Sequence, residues 1–248
     1  MRIIRLLSLP SVVIILFLFS SCERKIETGN FTLQFKAKYG EQDFAINTPN
    51  TDPEGRRIKL ELLRFYLSHI TLIKNDNSEI ELKDVALIDF SNPLSLSYNL
   101  DNISGDFKGI KFGAGLDSIQ NLTDPSTIDD ENPLGNQEMY WSWMKYIFEV
   151  LQAKCDTTTT GNGAFNWSPS YHIGTDAMYR QTELTKDFSV CCDNKYTLTV
   201  WLDVKKIFYG STQTLDIITQ RTTQMGNGED PAVALTFVNN FSQAFETE

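Results

Sequence analysis

Apolar and polar residues alternate along most of the chain after residue 30, which is the pattern of half-buried β-strands. The alternation is clearest over residues 31–37, 110–116 and 196–204. A longer segment, 58–73, carries apolar side chains on both faces, which is typical of a central strand that is covered on each side. These segments predict a mainly β protein.

Two polar segments interrupt the strands. Residues 117–138 and 155–170 are rich in Asp, Asn, Thr, Pro and Gly, and they predict long loops, which are often functional inside a compact domain. Near the C-terminus, Phe237, Phe241 and Phe245 recur at four-residue spacing, which predicts a short helix packed on a sheet.

The length and composition favour one domain. The chain has 248 residues, of which 41% are hydrophobic, and all-β domains often reach this length as a single unit. We expect an all-β fold, an antiparallel β-sandwich with long loops and a short C-terminal helix, over residues 31–248. Residues 22–30 are polar and predict a tether.

The N-terminus has the features of an export signal. Arg2 and Arg5 precede a short apolar run at 12–19, well below the ~20 residues that a membrane-spanning helix needs. Two serines then precede Cys22, which predicts a lipoprotein signal peptide over residues 1–21 with Cys22 lipidated. The alternative is an ordinary signal peptide with an incidental cysteine. Lipid chains would anchor the protein without crossing the membrane.

The net charge argues against one class of partner. It is −10 for the whole chain and −12 without the signal peptide, which holds Arg2 and Arg5 and no acidic residue. Such a surface repels phosphate backbones, so nucleic-acid binding is not expected. Glu23, directly after the predicted lipidated cysteine, favours the outer membrane, on either its periplasmic or its cell-surface face.

Three further cysteines, Cys155, Cys191 and Cys192, are candidates for a disulfide. An exported protein lies in an oxidising compartment, so we expect one bond, between Cys155 and either Cys191 or Cys192. A strained bond between the two neighbouring cysteines is the alternative. The spacing matches no zinc motif.

No catalytic motif is present in the sequence. The chain has two histidines, His69 and His172, and it has no Gly-x-Ser-x-Gly, phosphate loop or dinucleotide fingerprint. We therefore expect a protein that is not an enzyme.

The most unusual segment is 139–148, which is dense in aromatic residues and methionine. If it is a strand, Met139, Trp141 and Trp143 share one face. Aromatic residues favour strands, so two core tryptophans are one interpretation. A metal site with His172 is the other, because neutral imidazole is a common transition-metal ligand and a thioether suits Cu(I).

A series of motifs, in order over residues 31–245, resembles the MbnP family of periplasmic copper-binding proteins. The motifs are FYLSHI at 65–70, FGAGLD at 112–117, MYWSW at 139–143, YHIG at 171–174 and VWLDVKKIF at 200–208. The resemblance implies a β-sandwich that binds copper, as Cu(I) or Cu(II), outside the cytoplasm.

The resemblance also implies a partner, a diheme cytochrome c peroxidase of the MauG or MbnH type, which oxidises a tryptophan to kynurenine. By this resemblance Trp141 or Trp143 is the modified residue, with Trp141 preferred, and His172 is the best histidine ligand. Met139 and His69 complete the candidate ligands.

The chain departs from its relatives at two positions. His69 stands where relatives more often have Asn, and Lys145 stands where they more often have Gly before the tyrosine. Because His69 belongs to a mostly apolar strand face, we expect it to be a buried structural histidine. Asp117, in the FGAGLD motif, is a candidate to orient the imidazole of His172.

Another function fits an envelope β-sandwich, namely glycan or protein binding through exposed Trp141, Trp143 and Trp167. The position of the first two tryptophans distinguishes the functions. A metal site needs them to converge on His172, whereas a sugar platform needs a flat, exposed face.

Overall fold

The computed structural model describes residues 29–191, 194–224 and 231–248. The predicted signal peptide over 1–21, the lipidation site Cys22, Cys192 and residues 22–28 of the predicted tether lie outside the described residues.

Strands dominate the described chain. They are β1 (Gly29–Tyr39), β2 (Gln42–Asp43), β3 (Asn50–Thr51), β4 (Arg57–Lys74), β5 (Glu79–Asp89), β6 (Ser97–Ile103), β7 (Gly105–Ala114), β8 (Tyr140–Trp141), β9 (Lys145–Asp156), β10 (Ser170–Gly174), β11 (Arg180–Val190), β12 (Lys195–Asp203), β13 (Thr222–Gln224) and β14 (Phe245–Thr247). The helices are α1 (Ser118–Asn121), α2 (Val204–Phe208) and α3 (Pro231–Gln243).

The strands form two sheets that pack face to face, which confirms the predicted β-sandwich. The smaller sheet has the order β14-β12-β1-β2, with β6 also paired to β1. The larger sheet has the order β11-β7-β4-β9-β10-β13, with β3 and β5 paired to β4 and β8 paired to β9. Most pairs are antiparallel as predicted, but β1 with β12 and β10 with β13 run parallel, so both sheets are mixed.

The long strand β4 is the centre of the larger sheet, as its two apolar faces predicted. It pairs with β9 over residues 57–65, and with β5 and β7 over residues 64–73 and 67–74. Bulges interrupt all three ladders. On the inner face, Phe65 packs against Phe241 of α3 and Phe245 of β14.

The C-terminal helix is present, although it ends earlier than the phenylalanine spacing predicted. Phe237 and Phe241 lie on α3 and stack on each other. Phe245 instead lies on β14, where it pairs with Leu202 of β12. The helix ends before Phe245 because the last residues pair with the edge strand β12 of the smaller sheet.

The predicted loop over residues 117–138 crosses the outer face of the larger sheet. It contains α1 and three single turns of 3₁₀ helix, each begun by an Asp or Asn side chain that accepts a backbone N–H. Two buried tyrosines attach it to the sheet. The hydroxyl of Tyr66 donates to the carbonyl of Pro133 at 2.9 Å, and that of Tyr146 donates to the carbonyl of Leu134 at 2.6 Å.

Two residues that differ from the usual family residue have left-handed backbones. The φ angle is +49° at His69 and +71° at Lys145. Asn is among the side chains that tolerate this conformation best, and Gly adopts it without a steric penalty. The backbone at these two positions therefore suits Asn and Gly, the residues that the family resemblance implies there.

The predicted disulfide between Cys155 and Cys191 is wrong, because both are free thiols. Cys155 is buried on β9, and Cys191 is exposed after β11. Cys155 pairs with Ile58 at the start of β4, whereas Cys191 follows the part of β11 that lies beside the end of β4 at Lys74. The length of β4 between these two points is about 50 Å at normal strand rise. A disulfide requires Cα atoms within about 7 Å. Because Cys191 is a free thiol, the alternative bond to its neighbour in the sequence is not formed either.

Within the three described ranges, no helix is both long enough and apolar enough to cross a bilayer.

The core contains one carboxyl group that has no ion-pair or hydrogen-bond partner among the described residues. Glu149 on β9 is 1% exposed, and neither carboxylate oxygen has a hydrogen bond there. Burial raises the pKa of this carboxyl well above its ordinary value, and Arg180 offsets the effect only in part. Glu149 is therefore neutral in the fold at pH values where the unfolded chain would ionise it.

We expect Glu149→Gln to make the stability less dependent on pH. In the wild type, the pKa of Glu149 is higher in the folded chain than in the unfolded chain. The contribution of Glu149 to the free energy of unfolding is therefore fully present below the unfolded pKa and is lost as the pH rises towards the folded pKa. The loss is about 1.4 kcal/mol per pH unit. Urea unfolding at pH 5 and pH 7 measures it, with the exposed Glu183→Gln as a control. An equal effect of Glu149→Gln at both pH values would contradict the prediction.

We expect Lys145→Gly to stabilise the protein by about 0.5–1 kcal/mol, because glycine relieves the left-handed backbone strain and Lys145 is exposed. Lys154→Gly, within the same strand but without a positive φ, is the control and should destabilise. Urea unfolding measures both changes, and a loss of stability for Lys145→Gly would count against the argument.

Candidate metal centre

The aromatic segment folds as a hairpin, so the prediction of a single strand over 139–148 is wrong. Tyr140 and Trp141 form β8, which pairs with the start of β9 through Tyr140 with Tyr146 and Trp141 with Lys145. The backbone N–H of Met144 donates to the carbonyl of Trp141 and closes the turn. The left-handed Lys145 lets the chain reverse here.

The hairpin places Trp141 beside His172 and Trp143 beside Trp141. The ring of Trp141 lies 5.0 Å from the imidazole of His172, centroid to centroid, at an interplanar angle of 34°. The ring of Trp143 lies 5.3 Å from that of Trp141 on the other side. His172 is buried, Trp141 is half-buried and Trp143 is 48% exposed. The three rings form a stack that leads from the surface to the histidine.

Met139 belongs to the same site. It is buried at the end of a 3₁₀ turn, and it lines a cavity of about 150 Å³ together with Trp141 and His172. Arg64 of β4 holds the preceding residue, Glu138, through a 2.7 Å ion pair. The sheet thereby fixes the position at which the chain enters the hairpin.

The imidazole of His172 is suited to bind a metal. Burial lowers its pKa, so the ring is neutral at neutral pH, which is the form that ligates metals. Its Nε2 lies 3.3 Å from the side-chain nitrogen of Gln152, and its Nδ1 lies 3.5 Å from the hydroxyl of Ser170. A metal on Nε2 would displace the Gln152 amide.

The sequence analysis missed Gln152, Ser170 and Gln224 as residues of this site. Gln152 lies on β9 opposite Ser170, and Gln224 of β13 pairs with His172 and lines the groove beside Trp141 and Trp143. No local pattern marks these residues, because they meet only through the pairing of three strands.

The donors in this site fit Cu(I). Neutral imidazole and thioether are soft ligands that suit this ion, and no carboxylate side chain is hydrogen-bonded to His172 among the described residues. An unmodified indole offers only an N–H donor and no lone pair for a metal. The soft donors that the unmodified chain presents to this cavity are His172 and Met139, and the Trp141 ring lies against His172.

His69 is not part of this site. Arg64, Val150 and His172 lie in one row across β4, β9 and β10, and His69 is five positions further along β4, about 16 Å at strand spacing. The expected burial of His69 is also wrong, because its side chain is 41% exposed. The bulge and the positive φ break the strand alternation at this residue.

The sequence predicted that Asp117 orients the imidazole of His172, and this prediction is wrong. Its Oδ2 instead lies 2.9 Å from Nε2 of His69.

Trp167 also lies apart from the other tryptophans. Its indole N–H donates to the carbonyl of Ile217, and Arg221 covers its ring. The flat platform of three exposed tryptophans is therefore absent from the described structure, and Trp141 converges on His172 instead.

Comparisons with known proteins agree with the fold and identify the family. The structure is similar to that of MbnP from Methylosinus trichosporium, with a TM-score of 0.56 and 14% sequence identity over 85% of this chain and 88% of that chain. A search of curated protein sequences finds no match. The model of the MbnP family matches residues 28–227, which is most of the sequence. The chain belongs to the MbnP family.

Proposed function

We propose that this protein is a copper-binding lipoprotein, anchored in the outer membrane on its periplasmic or cell-surface face, which acts in copper handling and is not an enzyme. The observation that carries the proposal is the convergence of Trp141, Met139 and His172 on one cavity. Cu(I) accepts soft ligands at low coordination number, and His172 with Met139 supplies such a pair.

Oxidation of Trp141 to kynurenine would complete the ligand set. Cleavage of the indole C2–C3 bond by two equivalents of hydrogen peroxide inserts two oxygen atoms and releases two water molecules. Hydrolysis then removes the C2 carbon as formate. The product has an aromatic amine and a ketone, and both can bind a metal, unlike the indole.

We assign the oxidation to a diheme cytochrome c peroxidase of the MauG or MbnH type. Trp141 is the preferred substrate because its ring contacts His172, so the new donors would arise beside the imidazole. Trp143 is the more exposed of the two rings and lies against Trp141 on the solvent side. A partner enzyme can therefore approach the stack from the surface.

Glycan binding is the competing function, and the exposed face of Trp143 is the only feature of the hairpin that favours it among the residues described. A sugar platform needs a flat aromatic surface, whereas Trp141 is turned onto His172.

We expect protein purified from its own host to carry kynurenine at Trp141. The residue would lose one carbon and gain one oxygen, and fragmentation of the peptide that contains residues 139–148 would assign the change to Trp141 or Trp143. Trp141→Phe should abolish the modification, and Trp143→Phe should leave the modified position unchanged. Unmodified tryptophans in every preparation would contradict the oxidation and favour the competing function.

We expect His172→Gln to weaken Cu(I) binding by about a hundredfold or more, and the volume-conserving Met139→Leu by about tenfold, because each removes a ligand. Competition with a Cu(I) chelator measures the affinity, on protein that has first been checked for kynurenine.

The matched control is His69→Gln, which removes the other histidine and lies outside the cavity. Its Cu(I) affinity should equal that of the wild type. Equal Cu(I) affinity of the wild type and His172→Gln would contradict the proposed copper site.

A further inference from the structure

A histidine and three carboxylates meet at the junction of β4, β5 and α1, away from the tryptophan hairpin. The Nδ1 atom of His69 lies 3.6 Å from a carboxylate oxygen of Glu81 and 3.6 Å from one of Asp84. Its Nε2 atom lies 2.9 Å from Asp117. The two ring nitrogens therefore face different carboxylates.

Asp117 holds the imidazole in one orientation. It is the N-cap residue of α1, and its Oδ1 accepts the backbone N–H groups of Ile119 and Gln120 at 2.8 Å each. Its Oδ2 is left to accept a hydrogen from Nε2 of His69. With the hydrogen on Nε2, the neutral ring presents the lone pair of Nδ1 to Glu81 and Asp84.

This arrangement has the features of a metal site with a supporting carboxylate. Metal-bound histidines commonly donate their other ring N–H to a carboxylate, which fixes the tautomer. The ligand atoms of His69, Glu81 and Asp84 all lie within 4.8 Å of one another. The side-chain amide of Gln120 donates to Asp84 at 2.8 Å and holds that carboxylate in place.

The charge of the cluster also favours a cation. No Lys or Arg of the described chain forms an ion pair with Glu81, Asp84 or Asp117, and His69 is their only basic partner. By contrast, Glu79 on the same strand pairs with Lys111. Three carboxylates around one histidine leave a net negative charge at this point of the surface even when the imidazole is protonated, and a divalent cation would compensate that charge.

We propose that His69, Glu81 and Asp84 bind a divalent transition-metal ion of the Zn²⁺ class, with Asp117 as the positioning residue. One imidazole nitrogen and two carboxylate oxygens form a ligand set that suits Zn²⁺, and the exposed side leaves positions for water. The imidazole disfavours Ca²⁺ and Mg²⁺, which prefer oxygen, and the carboxylates disfavour Cu(I). The site is independent of the proposed copper function, because it shares no residue with it.

The test is a calorimetric titration of the full mature protein with Zn²⁺. The variant Cys191→Ser, Cys192→Ser serves as the background, because cysteine thiolates also bind zinc. We expect one ion per chain, and at least a tenfold loss of affinity for His69→Gln and for the exposed Asp84→Asn. Circular dichroism checks that each variant is folded.

Asp117→Asn tests the positioning role. Asn caps helices as well as Asp does, so α1 is kept. Its amide would donate to Nε2 and move the ring hydrogen to Nδ1, which should lower Zn²⁺ affinity by about 10- to 100-fold. The Co²⁺ derivative provides a second readout, since nitrogen and oxygen ligands give no thiolate charge-transfer absorption.

His172→Gln is the matched control, and its Zn²⁺ affinity should equal that of the background protein. Two results would overturn the proposal, namely no saturable Zn²⁺ binding by the background protein or binding that His69→Gln leaves unchanged. Either result would leave the Cu(I) affinity of the His172 site untouched, so the two proposals fail separately.

Discussion

The candidate metal centre depends on the two buried tyrosines that attach the long loop to the larger sheet. The rings of Tyr66 and Tyr146 pack edge to face at 5.8 Å on neighbouring strands, and their hydroxyls donate to the carbonyls of Pro133 and Leu134. A buried hydroxyl without a partner is costly, so these bonds select one position for the loop. Met139 and Trp141 come shortly after Leu134 in the sequence. They reach His172 because these two hydrogen bonds fix where the loop lies on the sheet.

The protein has two environments with opposite donor chemistry. Around His172 the donors are a buried neutral imidazole and a thioether, beside aromatic rings. Around His69 the donors are an exposed imidazole and carboxylates. Burial lowers the pKa of His172, whereas the pKa of His69 is raised because its hydrogen bond to Asp117 and the neighbouring charges outweigh desolvation. The neighbours of each histidine therefore decide which metal ion it suits, a soft ion at His172 and a borderline ion at His69.

Backbone conformation connects the two departures from the family pattern. Lys145 closes the hairpin that carries Trp141, and His69 interrupts the central strand, and both have positive φ angles. A left-handed residue in β4 turns the His69 side chain out of the strand alternation and towards Asp117 on the loop. Asn at the same position could adopt the same backbone but would not offer an imidazole. Histidine at position 69 therefore adds an imidazole to this part of the surface, and the backbone can follow the same path as with Asn.

The sequence by itself determined the β-sandwich, the central strand β4 and the long loop, and it was enough to select Trp141, Met139 and His172 as candidate site residues. Alternation of side chains is a local property of strands, and family motifs are local in sequence, so both are readable along the chain. Only the tertiary structure decided that His69 belongs with Glu81, Asp84 and Asp117 rather than with His172. It also decided that Cys155 and Cys191 are apart, and that Gln152 and Ser170 face the imidazole. These relations depend on strand order, bulges and register, which bring together residues that no local pattern connects.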